Sequence, residues 1–201
     1  MNNIKSILFL SLSLLILAGC ETVPQLSETN VQWESHQAQL AKIEQFEATG
    51  KIGFRSPEER FSASFNWKQT ADSSQLKLFN PLGKTVLTLN INKQGATLVN
   101  SDNQTFFNKD ASTLFYQLTR LQFPVEQLKD WLKGQPAQAD SYALNETHTL
   151  SSLSKTINRQ LWQLDYTSYQ DINNTPMPYK MKLAKKDTQV QIVVSTWKID
   201  S

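Results

Sequence analysis

Apolar and polar residues alternate at period two through much of this chain. Phe61-Ser-Ala63-Ser-Phe65-Asn-Trp67 alternates, and Leu76-Lys-Leu78, Leu87-Thr-Leu89-Asn-Ile91 and Ala96-Thr-Leu98 continue the pattern. Successive side chains of a strand point to opposite faces, so these segments predict half-buried antiparallel strands. Asn80-Pro81-Leu82-Gly83 and Lys93-Gln94-Gly95 punctuate them as turns, which makes residues 47–108 a run of consecutive hairpins. Alternation returns at Leu161–Tyr166 and Tyr179–Leu183, with Thr175-Pro176-Met177-Pro178 as a breaker between them, and Val190–Trp197 closes the chain.

Three stretches follow a longer period. Between Val31 and Phe46, Trp33, Leu40, Ile43 and Phe46 recur at spacings of three and seven, which predicts an amphipathic helix with Asn30 as its cap and His36 on its polar face. Asp110 to Leu121 carries Leu114, Phe115, Leu118 and Leu121 on one face. Pro124 to Leu132 carries Leu128, Trp131 and Leu132, with Pro124 at its start and Gly134 just beyond its end. About ten or eleven strands with three helices predict a mainly β fold: one strongly curved sheet, an incomplete antiparallel barrel, with a helical lid over its mouth. A barrel of that kind can enclose an apolar, ligand-sized cavity.

The amino terminus has a different organisation. Met1–Ser6 carries one Lys and no acid, Ile7–Leu17 is apolar apart from Ser11 and Ser13, and the small residues Ala18 and Gly19 precede Cys20. That order is a secretory signal, and its apolar run is shorter than the ~20 residues that span a bilayer. A Cys directly after the cut is the pattern of a bacterial lipobox, so residues 1–19 are expected to be removed and Cys20 to be lipidated. Cys20 is also the only cysteine of the chain, which excludes an internal disulfide. Two acyl chains already suffice for stable membrane anchoring. Glu21 stands where Asp would be the familiar inner-membrane retention signal, which leans toward the outer membrane. Residues 21–30 are polar and aperiodic, so residues 20–30 are expected to form a tether and residues 31–201 a single domain.

Charge and chemistry narrow the picture mainly by exclusion. With 20 Lys+Arg against 18 Asp+Glu the chain is close to neutral, so no nucleic-acid partner is expected. His36 and His148 are the only histidines, and neither has a second His at ligand spacing, so no metal site is expected. No Gly-x-Ser-x-Gly elbow and no Gly-rich phosphate loop occurs, and Gly50-Lys51-Ile52-Gly53 reads as the opening of a strand. Glu58-Glu59 reads as a solvated pair. No catalytic residue or cofactor is assigned, and an enzyme is not expected.

Several local motifs together point to a family. They are the Trp33 helix, Gly50 at the head of the first strand, the Phe-x-Trp strand ending Trp67-Lys68-Gln69, Asn80-Pro81-Leu82-Gly83, Trp131-Leu132-Lys133-Gly134-Gln135-Pro136, Met177-Pro178 and the terminal Trp197. In this order and with a lipobox, the sequence resembles the LolB family of outer-membrane lipoprotein receptors over nearly the whole mature chain. The lipobox separates it from the related soluble carrier LolA.

The resemblance implies a monomeric receptor on the periplasmic face of the outer membrane. It would take lipoproteins from a LolA-like periplasmic carrier, hold their acyl chains in an apolar cavity and insert them into outer-membrane lipid. A lipid-binding or scaffolding lipoprotein with a different cargo is the alternative. Exposing one chain of about fifteen methylenes to water would cost on the order of 12 kcal/mol, so shielding is a physical necessity. Pro81, Leu82 and Gly83 would form the membrane-insertion loop: Gly83 is free to take positive φ, leaving Leu82 at the tip. Phe61, Phe65 and Trp67 share one strand face and are candidate cavity residues. Phe54, Phe79, Leu87, Leu89, Phe115, Leu118, Trp131 and Trp162 are candidates around them. For each, ordinary core is the competing reading, because packed interior and cavity wall share one alternation.

Overall fold

A computed structural model describes residues 25–120 and 123–199. The expected signal, Cys20 and Leu121 lie outside the described residues. A helix α1 (Trp33–Ala41) leads into six strands, β1 (Phe46–Arg55), β2 (Arg60–Gln69), β3 (Ser73–Phe79), β4 (Thr85–Asn92), β5 (Gly95–Asn100) and β6 (Thr105–Asn108). Helices α2 (Ala111–Thr119) and α3 (Leu128–Trp131) follow. The chain ends in β7 (Ser141–Leu144), β8 (Leu150–Ile157), β9 (Gln160–Ile172), β10 (Thr175–Lys185) and β11 (Thr188–Ile199).

All eleven strands form one antiparallel sheet in the order β6-β5-β4-β3-β2-β1-β11-β10-β9-β8-β7, so β1 and β11 pair at its centre and the edges β6 and β7 never meet. The expected incomplete barrel is the observed fold. Its curvature comes from irregular registers between Thr49 and Gly50, Leu78 and Phe79, Ala143 and Leu144, and around Lys180. Each bulge adds local twist and bends its strand. Gly50 sits in the middle of β1, not at its head, and a Cβ there would lie 1.9 Å from the Val193 carbonyl oxygen. Only glycine lets β1 and β11 approach so closely.

The concave face is the core. Ala63, Phe65 and Trp67 of β2, Leu76 and Leu78 of β3, Leu87 and Leu89 of β4 and Ile192 and Val194 of β11 are all buried. Their period-two spacing is the alternation of the sequence made spatial.

Several expectations need correction. The first helix stops at Ala41, and Phe46 opens β1. The end of α1 is held from outside, since the buried Lys133 donates from Nζ to the carbonyls of Ile43 at 2.8 Å and Leu40 at 3.4 Å. Gln32, not Asn30, is the N-cap residue, and Asn30 pairs with His148 at 2.8 Å. The helix at Pro124 shrinks to the single turn of α3: before it the backbone closes in short turns, with Val125 N donating to the Phe123 carbonyl at 2.9 Å and Leu128 N to the Val125 carbonyl at 3.3 Å, and the Glu126 carboxylate accepts from Ser112 N at 2.9 Å and from Ser112 Oγ.

Thr175–Pro178 is no breaker but the start of β10. The turn is Asn173-Asn174, both at positive φ (50° and 62°), as a two-residue type I′ hairpin requires. Pro176 and Pro178 are tolerated because the β10–β11 register begins only at Lys180, so this end of β10 pairs on one side.

His36 is 2% exposed, not on a solvated face, and its Nδ1 has no partner. It packs beside Trp33, with ring centroids 6.3 Å apart. Burial lowers its pKa below the ordinary imidazole value. The unfolded chain therefore takes up a proton at a higher pH than the folded one. The stabilisation is complete above the unfolded pKa of about 6.5 and is lost as pH falls through the folded value. Urea denaturation between pH 7.5 and 5 is expected to show a falling midpoint, and His36→Gln should flatten that fall; an equal pH dependence in the variant would refute this.

Candidate functional site

The register places the hairpin turns on two rims. The β1–β2, β3–β4, β8–β9 and β10–β11 turns share one rim, and the β2–β3, β4–β5 and β9–β10 turns share the other. The β3–β4 turn on the first rim holds Leu82, which is 92% exposed. Asn80 builds that turn. Its Oδ1 accepts from the N–H groups of Leu82 and Lys84, both at 3.0 Å, and its carbonyl accepts from Gly83 N at 2.9 Å. Gly83 takes φ +79°, as the sequence led one to expect. A large apolar side chain is thus held out into water by a rigid loop with no packing role.

Behind the same rim lies a small apolar cavity lined by Ile52, Phe54, Phe61, Leu76, Leu78, Phe115 and Phe123. Its free volume is about 20 Å³, close to room for one water-sized sphere. Phe54 and Phe61 face each other across β1 and β2, stacked at 5.5 Å, one residue from the rim. Phe115 of α2 and Phe123 close the space from the other side with centroids 5.9 Å apart.

Of the candidates, Phe54, Phe61 and Phe115 line this cavity. Phe65, Trp67, Leu87, Leu89 and Trp131 belong to the packed core, and Leu118 packs half-buried against it. Trp162 is also buried and lines a separate vestibule beside α2. Phe79 is a correction: it pairs with the exposed Ser64, while its neighbour Leu78 pairs with the buried Phe65, so Phe79 falls on the outer face. Ile52, Leu76, Leu78 and Phe123 were missed as lining residues. Leu76 and Leu78 carried the signal, since the alternation of β3 selects them and excludes Phe79.

At the opposite rim the expected tether is partly docked. Leu26 bridges Gln170, and Ser27 N donates to the Tyr169 carbonyl at 2.8 Å. The Asp171 carboxylate accepts from Ser27 Oγ at 2.7 Å and Thr29 Oγ1 at 2.9 Å.

This geometry can be set beside known proteins. The family model described as outer membrane lipoprotein LolB matches residues 44–197. The chain belongs to the LolB family. The outer-membrane lipoprotein LolB of Vibrio campbellii is 42% identical over 200 residues, covering 98% of each chain. That of Vibrio cholerae is 43% identical over 189 residues, covering 92% of each. The LolB of Actinobacillus pleuropneumoniae serotype 3 is 34% identical over 209 residues, 98% of this chain and 99% of its own. Like its LolB relatives, the protein is an outer-membrane lipoprotein.

Solved structures support the fold. A LolA superfamily protein from Nitrosomonas europaea superposes with TM-score 0.55 at 10% identity, over 85% of this chain and 94% of that one. A DUF1329 family protein from Desulfovibrio piger gives TM-score 0.53 at 7% identity, over 83% and 91%. The LolB fold is thus shared well beyond detectable sequence similarity.

Proposed function

We propose that this LolB-family protein accepts lipoproteins from a soluble LolA-like carrier, shelters their acyl chains behind Phe54, Phe61 and Phe115, and releases them into the outer membrane beside Leu82. The observation that carries the reading is the coincidence on one rim of a wholly apolar cavity and an exposed leucine on a rigid turn. An acyl chain leaving the cavity there has the shortest exposed path to the bilayer.

The cavity is small, about 20 Å³. An acyl chain of about fifteen methylenes needs far more than one water-sized space, so α2 and its Phe115 must move to admit cargo. The ring pair Phe115–Phe123 offers a soft wall for that movement, and no ion pair among the described residues crosses it.

Lipidation at Cys20 supplies the anchor. From Gln25 back to Cys20 the chain spans at most ~18 Å, whereas ten-residue β2, which runs from rim to rim, is ~33 Å long. With Leu26–Thr29 docked at the far rim, the anchor and Leu82 meet one bilayer when the strands lie along its surface.

The test is direct transfer. Purified carrier loaded with lipoprotein is mixed with this protein, and the two are separated by size and affinity tag. Cargo is expected to move to this protein without ATP, and cargo staying wholly on the carrier would refute the receptor reading.

A further inference from the structure

A second space adjoins the cavity. Outside α2, between that helix and the β8–β9 turn, lies a vestibule of about 620 Å³ that includes Thr113 and Tyr116 on one side and Ile157, Asn158 and Trp162 on the other. Phe123 lines both the vestibule and the apolar cavity. On α2, Phe115 faces the cavity while the next residue, Tyr116, faces the vestibule. Phe123 is thus common to the two spaces, and its ring lies against that of Phe115 on the cavity side, with centroids 5.9 Å apart.

Their linings differ in kind. The cavity is bounded only by Ile, Leu and Phe, whereas the vestibule adds hydroxyls, amides and two carboxylates to its aromatic rings. No Lys, Arg or His occurs among its described lining residues. Both carboxylates are already engaged, Asp110 by Thr113 N at 2.5 Å and Glu126 by Ser112. Gln127 Oε1, by contrast, is a buried acceptor without a partner in the protein. Such an orphan acceptor calls for a donor.

We propose that this vestibule is the port of the cavity: acyl chains pass between Phe115 and Phe123, and the neutral ester and amide head of an acylated cysteine comes to rest outside them, its N–H donating to Gln127. This rests on the acyl-cavity reading above and adds the route and the head-group site. The lining selects the head. An anionic phospholipid would place its phosphate among two carboxylates with no cation to meet it, an arrangement that costs rather than gains energy. An N-acylated cysteine carries no charge and offers an amide N–H.

The chain from residue 20 onward with Cys20→Ser has no thiol, so single cysteines can be placed at will. Thr113→Cys, Ala71→Cys and Gln191→Cys, all at exposed positions, are each made and half of each sample is capped with a bulky polyethylene glycol maleimide. Ala71 lies in the β2–β3 turn, on the opposite rim from the β8–β9 turn, and borders a groove near Lys129 that meets the vestibule only at Glu126, and Gln191 lies on the outer face of β11. Binding of a fluorescein-labelled triacyl-cysteinyl peptide is followed by anisotropy. Capping at 113 is expected to slow association by about tenfold relative to the uncapped half, while capping at 71 or 191 changes it by less than about twofold. Gln127→Leu should weaken binding of this peptide about three- to tenfold and leave binding of a palmitoyl ester that lacks the amide unchanged.

Association indifferent to the cap at 113, or blocked instead at 71, would overturn the port while leaving the acyl cavity standing. Equal losses for peptide and ester in Gln127→Leu would overturn the head-group site. No binding of the peptide by the uncapped proteins would overturn the cavity reading itself.

Discussion

Leu82→Glu is expected to leave folding and acceptance of lipoprotein intact and to slow release into the membrane about a hundredfold. Leu82 is 92% exposed, so its replacement removes no packing, and the turn is held by Asn80 and Gly83 whatever side chain stands at the tip. What changes is the encounter with lipid. A leucine buried in hydrocarbon gains about 1.5–3 kcal/mol. A carboxylate in its place loses that gain and adds a cost of about 2.5–3.5 kcal/mol if it is driven to the bilayer centre. Partial insertion halves these figures, and the remainder is about two orders of magnitude in rate. The measurement is transfer from the loaded protein to outer-membrane vesicles, with the melting temperature as control. Leu82→Phe should restore release, and unchanged release by Leu82→Glu would remove the loop from the mechanism.

The reason such a prediction can be made from one turn is that turn chemistry is local. Asn80-Pro81-Leu82-Gly83 contains its own hydrogen-bond acceptor, its own positive-φ residue and its own apolar tip, and the structure adds only the degree of exposure. The alternating strands were legible for the same reason, since each half-buried strand writes its two faces into its own residues. What was not legible depends on distant partners. Gly50 reads as a strand opener until Val193, far along the chain, is found against it. His36 reads as a polar-face residue until Trp33 and the rest of the core close over it. Pro176 and Pro178 read as a breaker because nothing local reveals that β11 begins its pairing only at Lys180.

The cavity shows the limit most clearly. Phe79 and Leu78 differ by one position, and in a strand one position is the difference between inside and outside. The larger, more aromatic residue attracts attention, but the period assigns the cavity to Leu76 and Leu78. Phe123 had no period to recommend it: it precedes Pro124 in an irregular stretch, and its place between two spaces is a property of the fold alone.

Trp131→Ala and Phe61→Ala should separate core from cavity wall in opposite directions. Trp131 is fully buried, donates from Nε1 to the Ala137 carbonyl at 3.2 Å, and offers its own carbonyl to the Tyr166 hydroxyl at 2.8 Å. Tyr166 is itself buried, which raises its pKa well above the ordinary phenol value and keeps it a neutral donor. Truncating Trp131 therefore leaves a large void next to a hydrogen-bonded joint between α3 and β9. The expected cost is about 3–5 kcal/mol, a fall in melting temperature of roughly 6–20 °C for a chain of this size. The fraction that remains folded should bind the triacyl-cysteinyl peptide almost as before, since Trp131 does not line the cavity. Phe61 is only half-buried and leans on Phe54 at the cavity wall, so its truncation should cost about half as much stability. Its loss strips one ring from the surface that would meet the acyl chain and should weaken peptide binding about tenfold. Thermal melts and anisotropy titrations on the same two variants read both axes at once. Weakened binding without lost stability in Trp131→Ala would return that residue to the cavity wall, where the sequence alone had allowed it to stand.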